Sequence, residues 1–273
     1  MLTKVEVRNP AGTLLTLTLD DDSSGYIVED IEGLDPVKAT LVSSSFASLD
    51  GTQFQSAHRE NRNIIIKINL RPDFVTQSVR SLRRALYAYF MTKIEVSLRF
   101  YDSDGTVVNI MGRVESCDTP LFTKEPQVAV SVICFDPDFQ ELDPIVESGS
   151  TVSTTTEFLI DYDGSVETGF LFELNLNRSL SDFTIYHRPP DGTLRQLNFS
   201  ASLLSGDKLS ISTVTGNKYI NLLRGGTTSS LLYGMPTQSA WIELQPGANH
   251  LRVYAVGAAI PFDITYTVRH GGL

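Results

Sequence analysis

Alternation of apolar and polar residues is the feature of this sequence that most limits its fold. Residues 15–19 and 93–100 place an apolar side chain at every second position, and residues 64–68 are almost wholly apolar. Side chains of a β-strand point alternately to its two faces, so this pattern predicts strands with one buried face. Turn sequences such as 102–105 (DSDG) separate the runs and favour antiparallel neighbours. We therefore expect a mainly β protein.

One segment, 73–90, has the period of an α-helix instead. Its apolar residues fall on one stripe at helical spacing: Val75, Val79, Leu82, Leu86 and Phe90. Asp73 follows Pro72, and a carboxylate there suits an N-cap, so we predict a helix that begins at Asp73.

The opposite face of this helix carries the densest basic cluster of the chain, Arg80, Arg83 and Arg84. Helical spacing brings these side chains close together. Two interpretations remain open for the cluster: a solvated face that keeps the protein soluble, or a contact with an acidic surface on a neighbouring copy.

A polar stretch with a turn at its centre predicts a second local feature. Residues 43–61 are rich in Ser, include two Gln, and contain Asp50-Gly51, a pair that suits a tight turn. We interpret this stretch as a long protruding hairpin.

Hydrophobic density falls in residues 147–156, so we place a domain boundary just before them and predict domains 1–144 and 145–273. A length of 273 residues is compatible with two ordinary domains. The first is expected to be a β-barrel or sandwich-like domain with one helix. The second half has many short strands and no convincing helix, which indicates a β-sandwich. Residues 262–273 either finish that sandwich, which we favour, or return to the first domain.

Composition excludes some functions and compartments. A net charge of −10 disfavours tight binding of a nucleic-acid backbone, which needs clustered Lys and Arg. Charged residues near the N-terminus argue against a signal peptide, and no apolar run is long enough to span a bilayer, so we expect synthesis in the cytosol and no membrane partner. Cys117 and Cys134 are too few for a disulfide framework and are predicted to be buried, reduced thiols.

Motifs of enzymes and metal sites are missing from the sequence. It contains no phosphate loop, no Gly-x-Ser-x-Gly, no His-Glu-x-x-His and no Cys-x-x-Cys. The histidines at 58, 187, 250 and 270 are scattered, and we predict that each is solvated. Residues 102–105 and 161–164 resemble the start of a calcium loop, but no closing Glu follows, so we interpret both as turns. We expect no catalytic residue, no cofactor and no metal, and an enzyme is the least favoured class.

Three aromatic residues of the second half could form a platform for stacking on a sugar: Trp241, Tyr219 and Tyr233. A single Trp belongs more often to the core, which is the other interpretation of Trp241. A carbohydrate-binding module for attachment to the host surface is therefore the alternative function.

The order of several motifs resembles the distal tail protein of long-tailed siphophages. In the first half they are 33–38 (GLDPVK), 98–101 (LRFY), 112–115 (GRVE) and 132–139 (VICFDPDF). In the second half they are 206–211 (GDKLSI), 216–219 (GNKY), 241–249 (WIELQPGAN) and 269–273 (RHGGL). The resemblance covers nearly the whole chain and is carried by the ordered set, since no single motif is specific.

The resemblance implies a structural role and no catalysis. In that family the first domain forms a hexameric ring that joins the tail tube protein to the tail-tip hub protein, and DNA passes through without specific binding. The second domain is a galectin-like or carbohydrate-module-like sandwich that faces other tail-tip proteins or host glycans. The implied location is the tail tip of the virion.

A hairpin of these proteins acts as a belt that grips the next subunit, and residues 43–61 match it. The implied subunit interface consists of belt and helix residues: Phe46, Leu49, Asp50, Gly51, Phe54, Arg80, Arg83 and Arg84.

Overall fold

The computed structural model describes residues 1–19, 23–47, 50–120 and 126–273. The chain forms two compact units, each with its own hydrophobic core. The first unit consists of Met1–Leu142 together with His270–Leu273, and the second of Asp143–Arg269. Within the described ranges, no helix has the length and apolar character needed to cross a membrane.

Antiparallel strands build the first unit. They are β1 (Leu2–Arg8), β2 (Leu14–Thr18), β3 (Tyr26–Glu32), β4 (Ala39–Ser44), β5 (Gln53–Arg59), β6 (Arg62–Leu70), β7 (Glu95–Asp102), β8 (Val107–Asp118), β9 (Gln127–Cys134) and β10 (Phe139–Glu141). The main sheet has the order β2-β1-β7-β8-β9-β6-β3, and β10 pairs with β8. Burial alternates along β6, where Ile64, Ile66 and Ile68 are buried. The apolar alternation therefore marks the core face of this sheet.

The helix is shorter than the sequence predicts. Helix α1 spans Val79–Tyr87, and its N-cap is Ser78, whose hydroxyl accepts a hydrogen bond from the Ser81 N–H at 3.1 Å. Asp73 is not the cap, because its side chain and carbonyl close a separate turn by accepting from the N–H groups of residues 75–77. Val75 is 90% exposed, so the predicted stripe is buried only within and after α1.

The second unit is a two-layer arrangement of sheets. Its strands are β11 (Ile145–Ser150), β12 (Phe158–Tyr162), β13 (Phe170–Asn175), β14 (Leu180–Arg188), β15 (Arg195–Leu203), β16 (Lys208–Ser212), β17 (Tyr219–Arg224), β18 (Thr227–Ser230), β19 (Gly247–Tyr254) and β20 (Pro261–Tyr266). One sheet has the order β11-β20-β13-β16-β17-β18 and the other β12-β19-β14-β15. The rings of Phe172 (β13) and Phe183 (β14) pack between the two sheets, with their centres 6.0 Å apart. The predicted mainly β fold is confirmed.

Residues 262–273 divide between the two alternatives: β20 (Pro261–Tyr266) belongs to the sandwich, as we favoured, but the last four residues return to the first unit. His270–Leu273 cluster with the first unit. The Leu273 N–H donates to the Leu34 carbonyl at 3.0 Å, and His270 Nε2 lies 2.9 Å from a Glu141 carboxylate oxygen. Backbone and side-chain bonds of the first unit therefore hold this terminal segment, and β21 (Arg269–His270) pairs with β10.

Candidate subunit-contact surface

A hairpin outside the main sheet is the most exposed structured segment of the first unit. Strands β4 and β5 pair with each other as a separate two-stranded sheet, although β3 and β6, which flank them in the chain, pair within the main sheet. Every residue of β5 is exposed. The sequence predicts a hairpin over 43–61, and the structure has one whose first strand begins earlier, at Ala39.

One face of this hairpin is apolar and open to solvent. Leu41 pairs with Ala57 and Ser43 with Phe54, and a bulge separates Val42 from Ser43. The register advances by one residue on β4 and by two on β5, so the extra residue of the bulge, Gln55, is in β5 and regular alternation continues along β4. Leu41 and Ser43 therefore share a face, and their paired residues Ala57 and Phe54 lie on that side with them. Leu41 and Phe54 are 68% and 62% exposed. We call Leu41, Phe54 and Ala57 the hairpin face.

The tip of the hairpin holds the other predicted belt residues. Phe46 is 50% exposed, and Asp50 is exposed. Gly51 has φ +90°, a left-handed conformation that favours glycine, as the Asp-Gly turn requires. Leu49 lies outside the described residues, as does the acidic run 20–22.

Fixed polar contacts hold the base of the hairpin. The Arg59 guanidinium binds both carboxylate oxygens of Asp138, which is 2% exposed, in a bidentate ion pair. The Glu60 N–H donates to the Lys38 carbonyl at 2.9 Å, and the Thr40 hydroxyl donates to the Glu60 carboxylate at 2.6 Å. Planar bidentate pairs restrict orientation as well as distance. The hairpin is therefore anchored where it leaves the main sheet.

Arg62, which sequence reasoning missed, organises the same region from inside. It is 1% exposed and donates to the carbonyls of Gly33, Asp35, Pro137 and Gly271. Its guanidinium also lies 4.3 Å from the centre of the Phe139 ring. Burial lowers the pKa of Arg62 from its ordinary value. The only sequence signal was an arginine at the start of an apolar strand.

The arginines of α1 do not act as one patch. Arg83 is half-buried and donates to the Thr119 hydroxyl at 2.8 Å and to the Tyr87 hydroxyl at 3.4 Å. Arg80 and Arg84 are exposed. Arg83 therefore has a structural contact in its own unit, which leaves the other two as the accessible cations of this helix.

The residues predicted as a sugar platform differ in their surroundings. Trp241 is half-buried and packs against the core of the second unit, with the Lys218 ammonium 5.9 Å from its ring centre. Tyr219 is half-buried at the start of β17, whereas Tyr233 is 79% exposed in a short 3-10 turn. Of the three rings, only that of Tyr233 is mostly open to solvent.

The prediction that every histidine is solvated is wrong for His187. This residue is fully buried on β14, and its Nε2 is hydrogen-bonded to Oδ1 of the buried Asn249 side chain. His58 is exposed, and His250 and His270 are half-buried beside Glu157 and Glu141. Among the described residues, no three His, Cys, Asp or Glu side chains are grouped as metal ligands.

Comparisons with known proteins bear on both units. Residues 163–270 match the family model of the siphovirus-type tail component, C-terminal domain. The crystal structure of SPP1 Dit (gp 19.1), described as a paradigm of the hub adsorption apparatus in phages that infect Gram-positive hosts, aligns with a TM-score of 0.69. That alignment covers 97% of this chain and 98% of that chain at 15% identity. No curated protein sequence matches the chain.

A second solved structure, the phage P2 baseplate in its activated conformation with Ca, aligns with a TM-score of 0.46 at 10% identity, over 97% of this chain and 98% of that chain. This similarity is too low to support an argument. The match over 163–270 and the SPP1 Dit alignment confirm the resemblance that the ordered motifs indicated and the mainly β fold.

Proposed function

We propose that the whole chain is a structural subunit of a phage tail tip that acts by assembling into a ring, because residues 163–270 match the siphovirus-type tail component, C-terminal domain. The role is architectural rather than catalytic. In this proposal the first unit forms the ring, and the second unit belongs to its periphery. Six copies per ring, and the tail tube and tail-tip hub proteins as neighbours, follow from the resemblance to distal tail proteins.

The hairpin face is the observation that carries this proposal. Leu41 and Phe54 expose 68% and 62% of their surface on an anchored hairpin. Exposed large apolar groups that share a face mark contact surfaces in soluble proteins, because their burial removes apolar area from water. In a ring, the adjacent copy of the chain would bury the hairpin face.

The unpaired outer edges of β4 and β5 support the same interpretation. The two strands pair with each other and with no further strand of the described chain. Free strand edges present N–H and C=O groups to which another chain can add. A ring closes when one surface of each copy meets a different surface of the next, and a hairpin that reaches outward suits such a contact.

The negative net charge of the chain is compatible with DNA passing through this ring. The chain carries a net charge of −10. A lumen lined by acidic subunits repels the phosphate backbone, so that DNA passes without being held. Arg80 and Arg84, exposed on α1, remain available for an acidic surface of the adjacent subunit.

The experiment measures the mass of the purified full-length chain by light scattering and its shape by negative-stain microscopy. The unaltered protein should form rings of about six copies of the 30.1 kDa chain. The double variant L41S/F54S should stay folded, since both side chains are exposed, but should lose the ring. Rings of unchanged mass in L41S/F54S would contradict the role of the hairpin face.

The matched control is V42S. Val42 pairs with Ser56, on the opposite side of the same hairpin, and is 43% exposed. This variant removes an apolar side chain from the hairpin without touching the hairpin face, so its rings should persist. If the unaltered protein were monomeric by light scattering even at high protein concentration, the proposed ring itself would be contradicted.

A further inference from the structure

The outer surface of one sheet in the second unit carries an unusual set of side chains. In β14 and β19 the residues Ile185, Leu251 and Val253 are buried, so the alternating residues lie on the opposite face. Cross-strand pairing places Tyr186 between Arg252 and Gln196, and Thr184 between Tyr254 and Asn198. We call these residues the outer sheet face: Thr184, Tyr186, Gln196, Asn198, Arg252 and Tyr254.

Arg252 lies at the centre of this face without an acceptor. Its guanidinium carbon is 4.1 Å from the centre of the Tyr186 ring, so the cation is stacked on the aromatic ring. Over the described ranges of the chain, the guanidinium has no hydrogen bond and no ion pair, and its Nε is buried and unpartnered. Stacking thus holds the group in place while its donors have no acceptor in the described part of the chain.

A neighbouring arginine of the same sheet, in contrast to Arg252, has a carboxylate partner. Arg188, which pairs with His250 in the next row of the sheet, donates to the Glu157 carboxylate at 2.6 Å. His250 Nδ1 lies 3.6 Å from the same carboxylate. Glu157 therefore accepts a hydrogen bond from Arg188, and no ion pair joins it to Arg252.

Polar groups beside Arg252 are also only partly satisfied. Asn198 Oδ1 accepts from the Thr184 hydroxyl at 3.0 Å, and its amide nitrogen donates to no group in the described part of the chain. The hydroxyls of Tyr186 and Tyr254 likewise have no protein partner among the described residues. Around one cation, the face thus offers an amide donor, two phenolic hydroxyls and the ring of Tyr254.

We propose that the outer sheet face binds an acidic saccharide. A guanidinium presents parallel N–H donors that match a carboxylate or a phosphate group, and an anion of this kind neutralises Arg252. Sugar hydroxyls are both donors and acceptors, which suits Asn198 and the tyrosine hydroxyls, and an aromatic ring packs against the C–H face of a sugar. None of the six residues is a large aliphatic side chain, and the exposed Leu159 lies in the next row, paired with His250. The six polar and aromatic side chains therefore suit a saccharide.

This site is separate from the predicted Trp241, Tyr219 and Tyr233 platform and does not depend on ring assembly. All of its residues belong to the second unit, whereas the hairpin face belongs to the first. A variant that loses the ring should therefore keep the saccharide site, and a variant of the saccharide site should keep the ring.

The test is calorimetric titration of the full-length protein with four probes: glucuronate, glucose 6-phosphate, glucose and inorganic phosphate. We expect glucuronate, glucose 6-phosphate or both to bind at least about tenfold more tightly than glucose and than inorganic phosphate. The two acidic sugars distinguish a carboxylate from a phosphate as the recognised anion. Equal affinity for glucose, equal affinity for inorganic phosphate, or no binding of either acidic sugar would overturn the proposal.

Variants connect the binding to Arg252. R252Q should weaken binding of the acidic sugar about tenfold. R252K, which keeps the charge but not the paired donors, should have an affinity between those of R252Q and the unaltered protein. R113Q is the control, because Arg113 is an exposed strand arginine of the first unit, paired with Glu95 at 3.1 Å. Unchanged affinity in R252Q, with circular dichroism and ring mass also unchanged, would show that the face is not the site.

Discussion

The imidazole of His187 and the side-chain amide of Asn249 lie 2.9 Å apart in the core of the second unit. Asn249 Nδ2 donates to the Gln245 and Gly247 carbonyls, each at 2.7 Å, and its Oδ1 accepts from the Gln245 N–H. These bonds fix the amide so that its oxygen faces His187. The imidazole therefore carries its proton on Nε2, and Nδ1, which is buried, has no partner in the described part of the chain.

Acidification should destabilise the second unit through His187. Burial lowers the pKa of this imidazole below its ordinary value of 6.5, with a smaller contribution in the same direction from Arg195 and opposing ones from Asn249 and Asp191. Below pH 6.5 the unfolded chain binds a proton that the folded chain binds only at lower pH, so stability falls as the pH drops. Urea unfolding should show a loss of at most about 1.4 kcal/mol per pH unit.

The control for this prediction removes the titrating group. H187Q keeps a side-chain N–H donor for Asn249 but has no ionisable ring, so its stability should vary less between pH 6.5 and 5. H58Q, which alters an exposed histidine of the hairpin, should keep the dependence of the unaltered protein. The prediction fails if H187Q and the unaltered protein lose stability equally.

Replacement of Arg62 by Met should destabilise the first unit strongly. The substitution leaves the carbonyls of Gly33, Asp35, Pro137 and Gly271 without the donor that Arg62 supplies from its buried position. A buried acceptor that loses a charged hydrogen-bond donor costs about 1 to 3 kcal/mol, and partly exposed ones cost less, so we expect a total loss of about 3 kcal/mol. Denaturant unfolding measures it, and R113Q should change stability by less than about 0.5 kcal/mol. A small effect of R62M would mean that water replaces the guanidinium.

Alanine at Gly33 should cost more than alanine at Gly105. Both glycines have positive φ, +87° and +94°, so both variants carry the backbone strain of a left-handed residue, about 1 to 2 kcal/mol. A Cβ at Gly33 would also lie 2.0 Å from the Asn63 carbonyl oxygen, whereas nothing lies within 4 Å at Gly105. We expect G33A to be less stable than G105A by about 2 kcal/mol in thermal or urea unfolding. Equal costs would show that the β3–β4 connection moves freely.

Both thiols should react slowly in the folded protein. Burial raises the pKa of Cys117 to about 11 and that of Cys134 to about 12, and the thiolate is the reactive form. Labelling with iodoacetamide at pH 8 should proceed at a small fraction of the rate in urea, where both thiols are exposed. Cys117 is half-buried, so mass spectrometry should find it labelled before Cys134. Rapid native labelling of Cys134 would contradict the packing of the first core.

Local patterns predicted the strands well, because alternation reports directly on which face is buried. The hairpin also followed from local chemistry, since Asp50-Gly51 can turn the chain wherever it stands. The start of the helix could not be predicted from local chemistry. Asp73 and Ser78 are both good N-caps, and only the packing of Leu82 and Leu86 selects between them.

Features that depend on distant residues escaped sequence reasoning. The burial of His187 depends on Asn249, 62 positions away, and Arg62 gains its acceptors from segments up to 209 positions distant. The hairpin face and the outer sheet face both required strand register, which decides which side chains share a surface. An isolated Tyr or Arg in the sequence gave no indication of the pairing between Tyr186 and Arg252.

The return of His270–Leu273 to the first unit makes the second unit a topological insertion. The chain leaves the first unit after Leu142 and re-enters it at His270, whose ring touches Glu141, so the points of exit and entry are neighbours. Domains whose own ends lie close together can be exchanged at such a junction without breaking the host. The first unit can therefore serve as a constant scaffold in which evolution, or an engineer, replaces the inserted sandwich and so changes the surface that the chain presents.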